Sequence, residues 1–239
     1  MIGAGYEDRF MTSEEVRELT ARAFDEYAID GERLLVIIPD HTRTAPIPLL
    51  FRTFHELIGQ RVEKLDFMIA LGTHPPLPRE KVNQRVGLTE EERETEFADV
   101  DIYNHRWDDP SQLTTVGTIS EEETGEITDG LMDDAVEVSV NRRIFNYDRI
   151  LIIGPTFPHE VVGFSGGNKY FFPGIAGAGV LHFFHCLGAV ITNPRINGTK
   201  HTPVRKVIDR AASMIDLPKL CFSLVVTKKG LRGMFIDTP

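Results

Sequence analysis

Leu34-Leu35-Val36-Ile37-Ile38, the stretch from Leu65 to Leu71, and Ile150 to Ile153 are short, branched, mostly apolar runs, and each ends in a polar cluster. Gly31 and Pro39 bound the first of them. A strand that is apolar on both faces must be covered on both faces, as in a parallel sheet with helices above and below. Helical signals fill the spaces between the runs. Thr12 with Glu15 three residues on reads as a capping box. Behind it Val16, Leu19, Ala23, Phe24 and Tyr27 share one helical face. A second helix is expected from about Pro46 to Ile58, with Leu50, Phe54 and Leu57 inward. Residues 79–99 read as an acidic, solvated helix and residues 203–215 as another. Leu220 to Val226 reads as the last strand. Residues 111–130 are expected to form a polar hairpin insertion, and Val136, Val138 and Val140 alternate as in a half-buried strand. The expected fold is α/β: an open, mostly parallel, Rossmann-like sheet with helices on both faces and a small β-hairpin insertion. Strand carboxyl ends in such a sheet share one edge, where ligands bind. The clusters Asp40 to Arg43, Thr73-His74 and His159 onward should therefore converge.

Composition narrows the functional classes. The chain has 239 residues and is 41% hydrophobic, enough for a buried core. Its net charge is −10, from 26 basic and 36 acidic residues. That balance argues against non-specific nucleic-acid binding, which needs a basic surface. An anionic substrate would need local arginine or lysine to offset the field. Two cysteines, Cys186 and Cys221, make no disulfide framework, and a reducing compartment is expected. The first residues are charged rather than apolar, and no run approaches the ~20 residues of a membrane span. A cytoplasmic protein without membrane partners is expected.

The chemistry concentrates in residues 159–185, HEVVGFSGGNKYFFPGIAGAGVLHFFH. Gly163 to Lys169 resembles a phosphate-binding loop only loosely, since that motif needs Gly-Lys followed by Ser or Thr. Here Asn168 separates Gly167 from Lys169, and Tyr170 follows. Gly166 and Gly167 suggest backbone at positive φ or in close approach to a ligand. Pro173-Gly174 is expected to open a helix running to about Val190, whose N-terminus could hold an anion. On that helix His182, His185 and Cys186 share a face. They are open to two readings, a metal site or packed core side chains. His74 and His159 follow strands on proline-flanked turns, where two imidazoles could serve as opposing general acid and base. Arg43 could pair with Asp40 or grip a carboxylate with its planar fork. His41, His55, His105 and His201 look ordinary.

Taken together, Asp40-His41-Thr42-Arg43, Gly72-Thr73-His74 and His159 through His185 resemble the lactate racemase family, the nickel-pincer-nucleotide 2-hydroxyacid racemases and epimerases. GFSGGNKYFFPGIAG is very close to that family's glycine-lysine-proline signature, and the steps from His159 to Lys169 and from Lys169 to His185 match as well. The resemblance covers the chain from about Leu34 onward. It implies that Lys169 carries the cofactor through a thioamide link. That cofactor is a pyridinium-3-thioamide-5-thiocarboxylate mononucleotide that pinches nickel through a carbon and two sulfurs. His185 would complete the metal's square plane. His74 and His159 would flank the substrate carbon as acid and base, and Arg43 would hold the substrate carboxylate. Asp40 and Thr42 would orient Arg43 or touch the cofactor. Ser165, Gly166 and Gly167 would line its phosphate or ring. The implied partners are a 2-hydroxy acid and, transiently, the enzymes that build the cofactor. The resemblance also implies that residues 1–239 form one N-terminal, cofactor-binding domain. The family's C-terminal domain would then be the part that closes the cleft. A second class of function stays open: an incomplete or non-catalytic domain of the same fold that binds a nucleotide or metal without turnover. A plain nucleotide-phosphate enzyme with Lys169 as clamp leaves His185 unexplained.

Overall fold

The computed structural model describes residues 1–239. Its elements in chain order are β1 (Ile2–Gly5), α1 (Ser13–Glu26), β2 (Arg33–Pro39), α2 (Ile47–Ile58), β3 (Lys64–Ala70), α3 (Arg79–Val86), α4 (Glu90–Glu94) and β4 (Ile102–Asn104). Then come β5 (Leu113–Ile119), α5 (Glu121–Ile127), β6 (Val136–Asn141), β7 (Arg149–Pro155), β8 (Pro158–His159) and β9 (Gly163–Phe164). The chain continues with α6 (Ala178–Ile191), α7 (Asn193–Ile196), α8 (Pro203–Ser213), β10 (Lys219–Thr227) and β11 (Gly230–Asp237).

The three apolar runs are β2, β3 and β7, neighbours at the centre of a seven-stranded sheet ordered β1-β11-β10-β7-β2-β3-β4. The five strands from β10 to β4 are parallel, while β11 and β1 extend the sheet antiparallel. The α/β expectation therefore holds, with an antiparallel edge that the sequence did not announce.

Side-chain alternation divides the core in two. Leu34, Val36 and Ile38 of β2 point into one apolar cluster with α1, α2 and α3. Leu35 and Ile37 point into the other, with α6, α8 and β6. Period-two alternation lets one strand serve both layers, which is why its sequence is apolar throughout. The ring stack of Phe24, Phe54 and Phe222 ties α1, α2 and β10 together, with centroids 4.9–5.9 Å apart.

Thr12 caps α1 as expected, with the reciprocal bond to Glu15. The acidic stretch is two helices rather than one. Gly87, at φ 74°, ends α3, and Thr89 starts α4 with its own capping box. The polar insertion also differs from a simple hairpin. β5 pairs antiparallel with β6, and α5 fills the connection between them. Ser120 caps α5 by accepting from the Glu123 amide.

Successive connections move outward in opposite directions from the β2–β7 pair: β2 leads to β3 and β4, whereas β7 leads to β10 and β11. That reversal opens a crevice at the carboxyl ends of these strands, the position where α/β sheets hold ligands. No helix is long and apolar enough to cross a membrane.

Candidate active site

A cavity of about 270 Å³ occupies this crevice. Asp40, Thr42 and Arg43 reach it from the end of β2, and Thr73 and His74 from the end of β3. His159, Ser165, Gly166 and Lys169 follow β7, and His185 comes from α6. The three clusters thus converge as their strand positions require. Of the expected site residues only Gly167 is outside the lining.

On the β2–β3 side, Asp40 is buried and ionised. Burial disfavours its charge, but hydrogen bonds from Thr42 and His74 outweigh that and hold its pKa below the usual value. The His74 Nδ1 lies 2.6 Å from the Asp40 Oδ2. The Thr42 hydroxyl and amide donate to the other carboxylate oxygen, at 2.6 and 3.2 Å. Asp40 therefore orients His74, and Arg43 has no carboxylate partner. The guanidinium of Arg43 instead donates to the Thr42 Oγ1 at 3.3 Å and sits over the Phe157 ring. Its planar fork stays available to an anionic ligand. The Pro39 carbonyl, just below, accepts a 2.8 Å bond from the Arg85 Nε.

On the β7 side the chain makes a small antiparallel turn, β8 against β9, that buries His159. The loop is locked from within. The Ser165 hydroxyl donates to the Pro155 carbonyl at 2.8 Å and accepts from the Phe157 amide at 3.0 Å. Ser165 lines the cavity, yet its hydroxyl is engaged inside the loop. Gly166 and Gly167 have φ of 88° and 56°, the backbone that their sequence suggested. A side chain at Gly166 would also press on the Thr156 Oγ1, 2.8 Å from an added Cβ. The guanidinium of Arg205, on α8, donates to the carbonyls of Phe164 and Gly166. This brace was not legible in the sequence, because it comes from a helix some 40 residues downstream and carries no local motif.

Electrostatics follow from this packing. Lys169 is half-buried, and its pKa falls to about 8, first through desolvation and then through the charges of Arg43 and Arg205. His159 is pushed down to about 4 by burial and by Lys169, against the pull of Glu160. His185 is likewise lowered, by desolvation, Lys169 and His182.

Two expectations need correction. The helix after Pro173-Gly174 starts only at Ala178, because the intervening loop is bonded elsewhere. The Gly72 amide donates to the Gly174 carbonyl, and the Asn141 amide to the Ile175 carbonyl. The helix N-terminus is consequently not part of the cavity wall. His182 and Cys186 are exposed and outside the lining, and no group of three His, Cys, Asp or Glu side chains forms a metal cage. His105 is also more than ordinary. Its buried ring donates from Nε2 to the Ala176 carbonyl and accepts at Nδ1 from Asn141, which fixes the approach to α6. Burial lowers its pKa to about 4.

Comparison with known proteins agrees with the fold. The family profile for the lactate racemase N-terminal domain matches residues 14–198. Lactate racemase of Thermoanaerobacterium thermosaccharolyticum is 26% identical over 195 residues, 79% of this chain and 41% of that protein. Lactate racemase of Lactiplantibacillus plantarum is 23% identical over 217 residues, 88% of this chain and 46% of that protein. The chain thus spans less than half the length of these relatives. A crystal structure of a Thermotoga maritima protein superposes with a TM-score of 0.84 at 28% identity, over 95% of this chain and 55% of that one. The lactate racemase apoprotein of T. thermosaccharolyticum shares the fold, with a TM-score of 0.69 at 20% identity over 99% of this chain and 58% of that one.

Proposed function

Since the chain belongs to the lactate racemase N-terminal domain family, we propose that it is the cofactor-holding half of an isomerase that inverts lactate-like 2-hydroxy acids. The observation that carries this reading is the meeting of Arg43, His74, His159, Lys169 and His185 around one cavity. Inversion at carbon needs polar groups on both faces of the substrate, and the two histidines come from opposite sides of the crevice.

The residues present fit a lysine-linked nickel-pincer nucleotide. An amine forms a thioamide link only as the neutral base, and the lowered pKa of Lys169 raises that fraction near neutral pH. His185 offers one imidazole at the cavity, and a nickel ion bound there would take its remaining donors from the nucleotide. When bound, that group supplies a hydride acceptor. The chain's own residues do the rest. Arg43 grips the substrate carboxylate through its planar fork. Asp40 aims the His74 ring, and the histidines hold or move the hydroxyl proton. The cavity is smaller than the roughly 300–1,000 Å³ of many ligand pockets. A nucleotide with its substrate would extend past the rim, so a second domain would complete the wall and exclude water.

The test is to produce the chain together with the cofactor-synthesis enzymes and measure its intact mass, its nickel content and its racemisation of lactate. A nickel-bearing adduct with turnover supports the isomerase. An adduct without turnover favours a binding domain whose turnover needs a further wall over the cleft. No adduct at all refutes the reading.

A further inference from the structure

We infer that the two cavity histidines enter the reaction as opposite tautomers: His74 with a bare Nε2 that accepts a proton, and His159 as a neutral Nε2–H donor. This rests on the reaction proposed above and divides the labour within it.

The division follows from what each Nδ1 touches. An ionised carboxylate can only accept, so the Nδ1 of His74, 2.6 Å from the Asp40 Oδ2, must carry the hydrogen. Both Asp40 oxygens are occupied, one by His74 and one by Thr42. The carboxylate therefore has little freedom to release the ring. In a neutral imidazole the other nitrogen, Nε2, then bears the lone pair. At His159 the polarity is reversed. The Val161 amide donates to the Nδ1 at 3.1 Å, and a backbone N–H cannot accept. That nitrogen must hold the lone pair, so the hydrogen sits on Nε2.

A second proton on His159 would set two N–H groups against each other. The neighbouring charges add to that barrier: Lys169 from the glycine loop, Arg43 from the end of β2 and Arg205 from α8. Only Glu160 opposes them, 3.9 Å from the Nδ1 and largely in solvent. The same balance shows in the lowered pKa of His159.

The chemical consequence is an unequal pair. A substrate hydroxyl facing His74 passes its proton from oxygen to the Nε2, and the resulting imidazolium keeps its bond to Asp40. The reverse step returns that proton to the same oxygen. His159 meanwhile donates from Nε2 to substrate oxygen without changing its own charge, as a neutral imidazole can. For the enantiomer whose hydroxyl faces His159, proton uptake at the Nε2 must be preceded by loss of the Val161 bond and a shift of tautomer. In the return step the Nε2–H passes to oxygen as the freed Nδ1 takes a proton from water and the His74 imidazolium releases its proton to water, so the count closes. The equilibrium constant between enantiomers is one at every pH, so kcat/KM must be equal in the two directions, and the asymmetry should appear in the separate pH profiles of kcat and of KM.

Long-range proton–nitrogen NMR on the ¹⁵N-labelled chain, without cofactor, reads this directly at about pH 9, well above the ordinary histidine pKa of about 6.5. One histidine should show a protonated Nδ1 and a bare Nε2, and lose that signature in His74→Gln. Another should show the reverse pattern, with a coupling across the Val161 N–H···N bond, and vanish in His159→Gln. If either variant fails to fold, that coupling identifies His159 in the unaltered chain, and Asp40→Asn should perturb only the first pattern. A protonated Nδ1 on His159, a missing coupling, or two rings averaging freely between tautomers overturns the inference. Those outcomes leave racemisation itself standing. The expected tautomers in a chain that gains no adduct would overturn the proposed reaction alone.

Discussion

The two walls of the cavity present the same side chain in contrasting settings. On the β2–β3 wall the His74 side chain is 49% exposed and leans on a buried carboxylate. On the β7 wall the His159 side chain is 10% exposed, bonded to backbone and surrounded mainly by cations. One wall sets a carboxylate against the ring and the other sets cations around it. The contrast shows how a fold differentiates two identical residues: a single acidic neighbour on one side, burial beside a lysine on the other.

Lys169→Ala should have the largest effect, removing the mass adduct and all turnover, because no other amine lines the cavity. An adduct that persists in that variant would move the attachment point elsewhere. Next come His74→Ala and His159→Ala, each expected to slow racemisation about 10²- to 10⁴-fold while the adduct stays. Equal losses at every pH would erase the distinction between the walls, whereas diverging pH profiles would sharpen it. Asp40→Asn leaves the His74 ring in place but removes its anionic support, and a loss of roughly 10- to 100-fold in kcat with little change in KM is expected, as for other groups that orient a functional histidine.

Arg205→Gln acts from outside the cavity. Removing that charge should raise the Lys169 pKa, since a nearby cation disfavours the protonated amine. Acetic anhydride labelling of Lys169 at pH 7 should then slow, by roughly two- to tenfold. Unchanged labelling would mean that desolvation alone sets the amine. The smallest effect is on folding. His105 and His159 have native pKa values of about 4 against 6.5 for the free side chain. Between those values the unfolded chain binds protons that the native chain does not, so stability is full above pH 6.5 and declines as pH falls toward 4. Thermal melting across that window should slope downward, and His105→Asn should flatten part of the slope if it folds.

Much of this arrangement was legible from residue order. Three apolar runs with polar ends showed which segments are buried strands and which turns meet, because period and burial are local properties. The glycines announced positive φ for the same reason. What escaped is tertiary. Asp40 bonds His74 across 34 residues, and neither residue's neighbours hint at the pairing. The brace from Arg205 and the clamp of His105 on Ala176 depend on packing that no spacing encodes. β4 and β1 are short edge strands of three and four residues, below the length at which alternation is readable. The helix carrying His185 starts late because loop amides and carbonyls are bonded instead to the turn after β3 and to β6.

The double-sided character of β2 has a consequence for how such a chain tolerates change. Swapping Ile37 for valine or leucine disturbs one layer and leaves the other intact. Deleting or inserting a single residue there would turn every inward group of both layers around at once, and would shift Asp40 and Arg43 off the ledge they occupy. Sequence drift by substitution is thus cheap in this strand, while length changes are all but closed to it.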